Sequence, residues 1–179
     1  MEREIDVSAV VRAAPARVRK VFIDDPGSAV SERCSAEQRR SREFHAELTA
    51  ELGSGASLHQ EILIQLGAPQ LLDSVLVIPM RWRAIERERL FPAFEGEIEV
   101  SAQKSPGTRI RLIGSYTVPL GPLGQVGEGI GGHRVAIQSL ARYVHEIARR
   151  VEIEVDGRVT SVPQRDVESP PDRSEHYIG

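Results

Sequence analysis

Three separate segments of the chain carry side chains that could bind a ligand or move a proton. His133 follows a glycine-rich stretch at the start of a predicted helix, and an imidazole beside a pocket can act as acid or base near neutral pH. Trp82 and Tyr116 each lie in an alternating apolar run, so both rings are expected to point inward. Arg81 would bind a carboxylate or carbonyl oxygen if its face of the strand looks into a cavity.

Each of these side chains also has a purely structural explanation. His133 could bond to a loop carbonyl at the helix start, and the hydroxyl of Tyr116 could meet a backbone carbonyl instead of a ligand. Arg81 and Arg83 flank Trp82 on the opposite strand face, and they are ordinary charged side chains if that face lies in water. The ring of Trp82 then belongs to the core or to a cavity wall.

Glu95, Glu97 and Glu99 are spaced two apart, so they share one face of a strand. Carboxylate clusters can bind a metal ion or act as acid and base, but a solvent face opposite Ile98 and Val100 explains these residues without a site. The sequence shows no phosphate-binding loop, no serine-hydrolase elbow and no zinc-ligand spacing. We therefore expect no metal and no cofactor.

The composition is that of a soluble globular protein, with 179 residues, 27% charged and 40% hydrophobic. A net charge of −3 argues against a nucleic-acid partner, which a basic surplus would favour. Cys34 is the only cysteine, so no internal disulfide forms. Because no apolar run reaches the length of a membrane span and the N-terminus lacks a signal-peptide pattern, we expect a cytoplasmic location.

Alternating apolar residues predict six strands, at residues 4–12, 44–52, 58–66, 74–86, 97–102 and 108–118. Pro79 within the fourth suggests an edge strand or a bulge. A short helix is predicted to begin at Pro15, which suits the first helical position, and to end at residues 24–27. Between residues 28 and 43 the chain is polar, and Ser35 with Gln38 could form a capping box for a second short helix or belong to a surface loop.

The stretch of residues 130–151 predicts one long helix, because its apolar residues recur at spacings of three and four. They are Ile137, Leu140, Val144, Ile147 and Val151. A one-sided helix after a run of strands must cover a sheet, so residues 1–151 are expected to form one domain. Residues 152–179 are expected to form a C-terminal extension, with a possible hairpin at Asp156-Gly157 and a disordered tail from residue 163.

The order of a strand, a short helix, an antiparallel meander and a long C-terminal helix resembles the START-like (SRPBCC) superfamily. That superfamily includes polyketide cyclases, lipid-transfer domains and relatives of birch-pollen allergens. The local motifs that carry the resemblance are Ile78-Pro79-Met80-Arg81-Trp82, Gly96-Glu97-Ile98-Glu99-Val100, Gly114-Ser115-Tyr116-Thr117-Val118-Pro119 and Gly132-His133-Arg134. The resemblance is to an uncharacterised bacterial branch, and it implies an α+β helix-grip fold in which a curved antiparallel sheet wraps a C-terminal helix.

A shared fold implies a cavity but not one chemistry. The expected function is to bind or carry an apolar small molecule, such as a lipid, polyketide or aromatic metabolite, between sheet and helix. The expected site residues are Trp82, Tyr116, His133 and Arg81. A cyclase or dehydratase and a protein-interaction module resembling co-chaperones are the alternatives. The scarcity of inward acid–base pairs favours the binding function.

Overall fold

A computed structural model of the protein describes residues 2–52, 56–86, 93–103, 107–117 and 130–160. Within these ranges, seven strands form one antiparallel sheet: β1 (Glu2–Val11), β2 (Glu43–Leu52), β3 (Ala56–Leu66), β4 (Gln70–Leu72), β5 (Val75–Ala84), β6 (Ala93–Ala102) and β7 (Thr108–Thr117). The same ranges contain four helices: α1 (Pro15–Asp24), α2 (Pro26–Val30), α3 (Ala36–Ser41) and α4 (Ile130–Thr160).

The sheet curves around the last helix. Its strand order is β1-β7-β6-β5-β3-β2, with the short β4 paired to β5, so β1 and β2 are the two outer strands of the main path. The backbone of α4 nevertheless comes closest to β1 and β2, which requires the sheet to bend until its two sides approach the helix. The protein therefore has the α+β helix-grip architecture that the sequence predicted.

Alternation along the strands explains which face of the sheet meets the helix. In β1 the odd-numbered residues Ile5, Val7, Ala9 and Val11 are buried, and their even-numbered neighbours are exposed. The six predicted strands are present. The strand β4 was not predicted, and β6 begins at Ala93 rather than at residue 97.

The strand that contains Pro79 lies inside the sheet, so the expected edge position is wrong, but the pairing beside Pro79 is irregular, as the alternative of a bulge predicted. Pairing of β3 with β5 ends at Met80, and pairing of β4 with β5 begins at Val77, which leaves a gap between the two. The amide of Gly67 donates to the carbonyl of Pro79 at 2.7 Å across this gap. The nitrogen of Pro79, which carries no hydrogen, faces the same gap. No hydrogen bond between strands is lost there, because the pairing is already interrupted.

The predicted short helix is confirmed as α1, which begins at Pro15 and buries Val18, Val21 and Phe22. The predicted capping box is also present, since the hydroxyl of Ser35 accepts from the amide of Gln38 at 3.2 Å and the Gln38 side chain accepts from the amide of Ser35 at 2.8 Å. This reciprocal pair stabilises the start of α3.

The last helix is longer than predicted and crosses the boundary expected at residue 151. The predicted hairpin at Asp156-Gly157 is wrong, because both residues lie within α4. Val155 continues the apolar stripe one turn beyond Val151 and is 2% exposed, so burial of this face outweighs the local turn signal. The tail that was expected to be disordered lies outside the described residues.

One end of the sheet is joined to the last turns of α4. The amide of Arg12, just past β1, donates to Glu152 Oε1 at 3.0 Å, and Arg17 Nη2 donates to the carbonyl of Val155 at 2.7 Å. These contacts place the C-terminal part of α4 where β1 ends. The helix therefore begins towards the opposite end, where β1 begins and β7 ends. No helix in the described ranges is both long and apolar enough to cross a membrane.

Candidate functional site

One register row runs across six strands on the inner face of the sheet. Its members are direct neighbours from strand to strand, in the order Phe44, Ile64, Trp82, Phe94, Tyr116 and Arg3. Trp82, Phe94 and Tyr116, called the aromatic row below, occupy the adjacent strands β5, β6 and β7, and each is at most 3% exposed. The row lies near the end of the sheet towards which α4 begins.

The rings of this site form a packed group. Trp82 and Phe94 are stacked, with ring centroids 4.2 Å apart and an angle of 16° between the planes. Tyr143 of α4 meets Trp82 edge to face at 6.0 Å and 73°. Both arrangements are favourable for aromatic pairs, and they link the middle of the sheet to the helix. The hydroxyl of Tyr143 donates to the carbonyl of Val30 at 2.9 Å.

Two paired glycines make room for the ring of Phe94. Gly96 and Gly114 are direct neighbours on β6 and β7. A Cβ atom added to either would lie 2.7 or 2.8 Å from Phe94 Cζ, and closer still to the facing backbone. The ring of Phe94 thus lies against bare backbone, which only glycine permits at these two positions.

The indole nitrogen of Trp82 is a buried donor without a partner. Among the residues that the structure describes, no acceptor lies within hydrogen-bond distance of Trp82 Nε1. Leaving a buried N–H unpaired costs about 1–3 kcal/mol, and such groups are rare in folded proteins. This atom therefore marks a place inside the fold where an acceptor belongs.

The β1 end of the row combines a phenol with a positive charge. Burial raises the pKa of Tyr116, and the positive charge of Arg3 opposes that increase. Arg3 is the cross-strand neighbour of Tyr116 and is partly exposed. The phenol stays protonated at neutral pH, so it has hydrogen-bonding capacity but no readiness to act as a base.

The structure places the four predicted site residues in three different settings. Trp82 and Tyr116 lie on the same face of the sheet, with Phe94 between them. His133 lies in the first turns of α4, and its side chain is outside the described set. Arg81 lies on the outer face, so the prediction that it lies near this space is wrong.

The reason for the position of Arg81 is strand alternation, because neighbours on a strand point to opposite faces. Its Nε atom donates to Gln65 Oε1 at 2.6 Å on the adjacent strand. Arg81 lines an open groove of about 460 Å³ on the outer face, together with Leu63, Glu95 and Thr117.

Sequence reasoning missed three residues of this site. Phe94 lies outside the strand predicted at residues 97–102, although it alternates in phase with Ile98, and that phase is the available signal. Tyr143 directly precedes Val144 on the buried helix face, and Arg3 extends the β1 alternation by one step. Side-chain phase along an element could have revealed each of them, but their proximity to Trp82 could not be read from the sequence.

The carboxylates of β6 lie on the outer face, as the solvent-face interpretation predicted. Glu99 receives a bond from Arg111 at 3.2 Å, and the same guanidinium binds Asp6 at 2.6 Å. Hydrogen bonding to Arg111 lowers the pKa of Asp6 below its ordinary value. Within the described residues, no three histidine, cysteine, aspartate or glutamate side chains converge on a possible metal position.

Comparison with solved structures places the fold. The conserved protein from Geobacillus kaustophilus is similar over 87% of this chain and 96% of its own, with a TM-score of 0.53 and 11% identity. The chain shares its fold with that protein. Two further solved structures are also similar. The Zhui aromatase/cyclase from Streptomyces is 14% identical over 91% of this chain and 99% of its own, and Ara h 8.0201 is 11% identical over 88% of this chain and 99% of its own. Their TM-scores are 0.48 and 0.47. No family model and no curated protein matches the sequence.

Proposed function

We propose that the protein binds and carries an apolar small molecule between the inner face of the sheet and the N-terminal half of α4. The observation that carries this proposal is the aromatic row, which sets three rings side by side on the central strands at the end where the helix begins. Aromatic walls with a few polar atoms are typical of small-molecule sites.

The position of α4 supports this proposal. The helix backbone lies closest to β1 and β2, so the central strands β5 and β6 are farther from it. Large side chains, including Trp82, Phe94 and Tyr143, reach into the intervening space. Towards the start of α4 the partly exposed Ala136 and Ile137 border the core. This is the side from which a ligand would contact the aromatic row.

The buried polar groups favour binding over acid–base catalysis. The buried polar residues among the described side chains are Ser31, Gln60 and Thr108. Each donates to a backbone carbonyl, at distances of 2.5 to 3.2 Å. No carboxylate or imidazole of the described set is buried on the inner face. An enzyme of the cyclase type would need such a group, with a shifted pKa, beside its substrate.

The test uses Trp82, which is the only tryptophan of the chain and lies within the proposed site. Titration with fatty acids and with fused-ring aromatic compounds should change the Trp82 fluorescence saturably, at about one molecule per chain. Native mass spectrometry of protein purified from its own host should show a retained molecule of the same class. The Arg81→Ala variant is the matched control, because it alters the neighbouring residue on the outer face and should bind as wild type does.

Absence of saturable binding to the folded protein across this panel would contradict the carrier function. A hydrophobic probe that binds only during unfolding would mean that the interior is packed to ordinary density. The interaction-module hypothesis would then take its place. Participation of His133 in binding and the cytoplasmic location both remain predictions.

A further inference from the structure

The unpartnered indole nitrogen of Trp82 carries information about the ligand. Trp82 is 3% exposed, and its Nε1 atom has no acceptor among the described residues. The side chains shown to touch or pair with it are hydrocarbon or ring surfaces: Phe94 stacks on it, and Ile64 is its neighbour on β3. Tyr143 meets it edge to face but directs its hydroxyl to the Val30 carbonyl.

We propose that Trp82 Nε1 donates a hydrogen bond to a neutral carbonyl oxygen of the bound molecule. The ligand class is then an apolar ketone, ester or quinone, with its carbonyl beside the indole and its hydrocarbon part on the aromatic row. This inference rests on the proposed function and adds the chemical group that the site recognises. A carbonyl oxygen accepts one such bond without bringing a charge into the interior.

A neutral oxygen suits this position better than a carboxylate. The inner-face cation that the structure describes in this row is Arg3, beside Tyr116 and three strands away from Trp82. Arg150 of α4, whose charge reaches Tyr143, is already paired with Glu32 at 3.3 Å. Strands are spaced about 4.8 Å apart, so a carboxylate at the indole would lie more than about 10 Å from that charge. A buried anion without a nearby cation is strongly disfavoured, whereas a carbonyl needs only the single donor that Trp82 supplies.

The experiment compares ligands that differ only in a carbonyl group. The pairs are fluorenone with fluorene, for a fused-ring ligand, and undecanone with undecane, for a chain-shaped ligand. Because the chain has one tryptophan, a proton–nitrogen correlation spectrum of the labelled full-length protein contains a single indole N–H signal. The carbonyl compound should move this signal downfield and bind about tenfold more tightly than its hydrocarbon partner.

The Trp82→Phe variant keeps an aromatic ring and removes the donor, so the preference for the carbonyl compound should fall to less than about twofold. The Arg81→Ala variant should keep the wild-type preference. The downfield shift is measured on wild-type protein, so it decides the question even if Trp82→Phe does not fold.

The possible outcomes separate this inference from the proposed function. Equal affinity within each pair, with no downfield shift of the indole signal, would overturn the carbonyl assignment while leaving the carrier function supported. Failure of all four compounds to bind would overturn both.

Discussion

The contact between Tyr143 and α2 leads to a prediction about stability at high pH. Tyr143 is 3% exposed, and its hydroxyl donates to the Val30 carbonyl at 2.9 Å. The Tyr143→Phe variant removes this bond with little change in ring volume. At neutral pH we expect the free energy of unfolding to fall by about 1–2 kcal/mol, because a buried carbonyl loses its donor.

Above pH 10 the same substitution should have a smaller effect. Burial raises the pKa of Tyr143 far above its ordinary value of 10.0, so the folded protein keeps this proton when the unfolded chain has lost it. The unfolded state then binds fewer protons, and wild-type stability falls with pH by about 1.4 kcal/mol per pH unit from this group. The Tyr143→Phe variant has no such decrease, so its free energy of unfolding should equal that of the wild type near pH 11. Tyr116, whose pKa is also raised, is present in both proteins and cancels in the difference.

The measurement is urea unfolding followed by circular dichroism at several pH values between about 8 and 11. The Leu140→Ala variant is the control, because Leu140 is buried on the same helix and does not ionise. It should lower stability by about 2–5 kcal/mol with no pH dependence of the difference. A constant difference between wild type and Tyr143→Phe across this range would refute the argument, since it would mean that the Tyr143 hydroxyl titrates alike in the folded and unfolded states.

The remaining predictions concern two glycines and the C-terminal end of the chain. Gly96→Ala should lower the free energy of unfolding by roughly 3 kcal/mol, because its Cβ would lie 2.1 Å from a backbone oxygen of β7. Gly157→Ala, in a helix and with open space around the added Cβ, should raise it by up to about 1 kcal/mol in the same urea assay. Truncation after Val162 should leave the melting temperature unchanged, and truncation after Val151 should lower it by several degrees because Val155 is buried. Equal melting temperatures for the two truncations would show that the added helical turns do not stabilise the fold.

Most of the fold could be predicted because alternation and helical spacing are local properties of the sequence. The inward phase of Ile5, Val7 and Ala9 follows from every second residue being apolar, whatever the partner strands are. The hairpin expected at Asp156-Gly157 failed for a physical reason. Asp156 and Gly157 favour a turn, but continuing α4 buries Val155 on its apolar face. The burial of Val155 outweighs the turn preference, so the helix continues.

The site was harder to predict because it depends on how strands align. The sequence shows that Trp82 and Tyr116 point inward. Phe94 lies between them because of the register of the three strands, and tertiary packing sets that register. Arg81 illustrates the opposite case. Its alternation with Trp82 already indicated the outer face, and the structure shows that face turned away from the helix.

The bonds from Arg12 to Glu152 and from Arg17 to the Val155 carbonyl have a kinetic consequence for a carrier of the proposed kind. They tie the end of β1 and helix α1 to the C-terminal part of α4, so we expect a molecule held inside to enter and leave at the other end, where α4 begins. A second ligand molecule cannot enter behind the first one. The bound molecule must therefore dissociate before another can bind. The dissociation rate of the first molecule sets the pace, however concentrated the second one is.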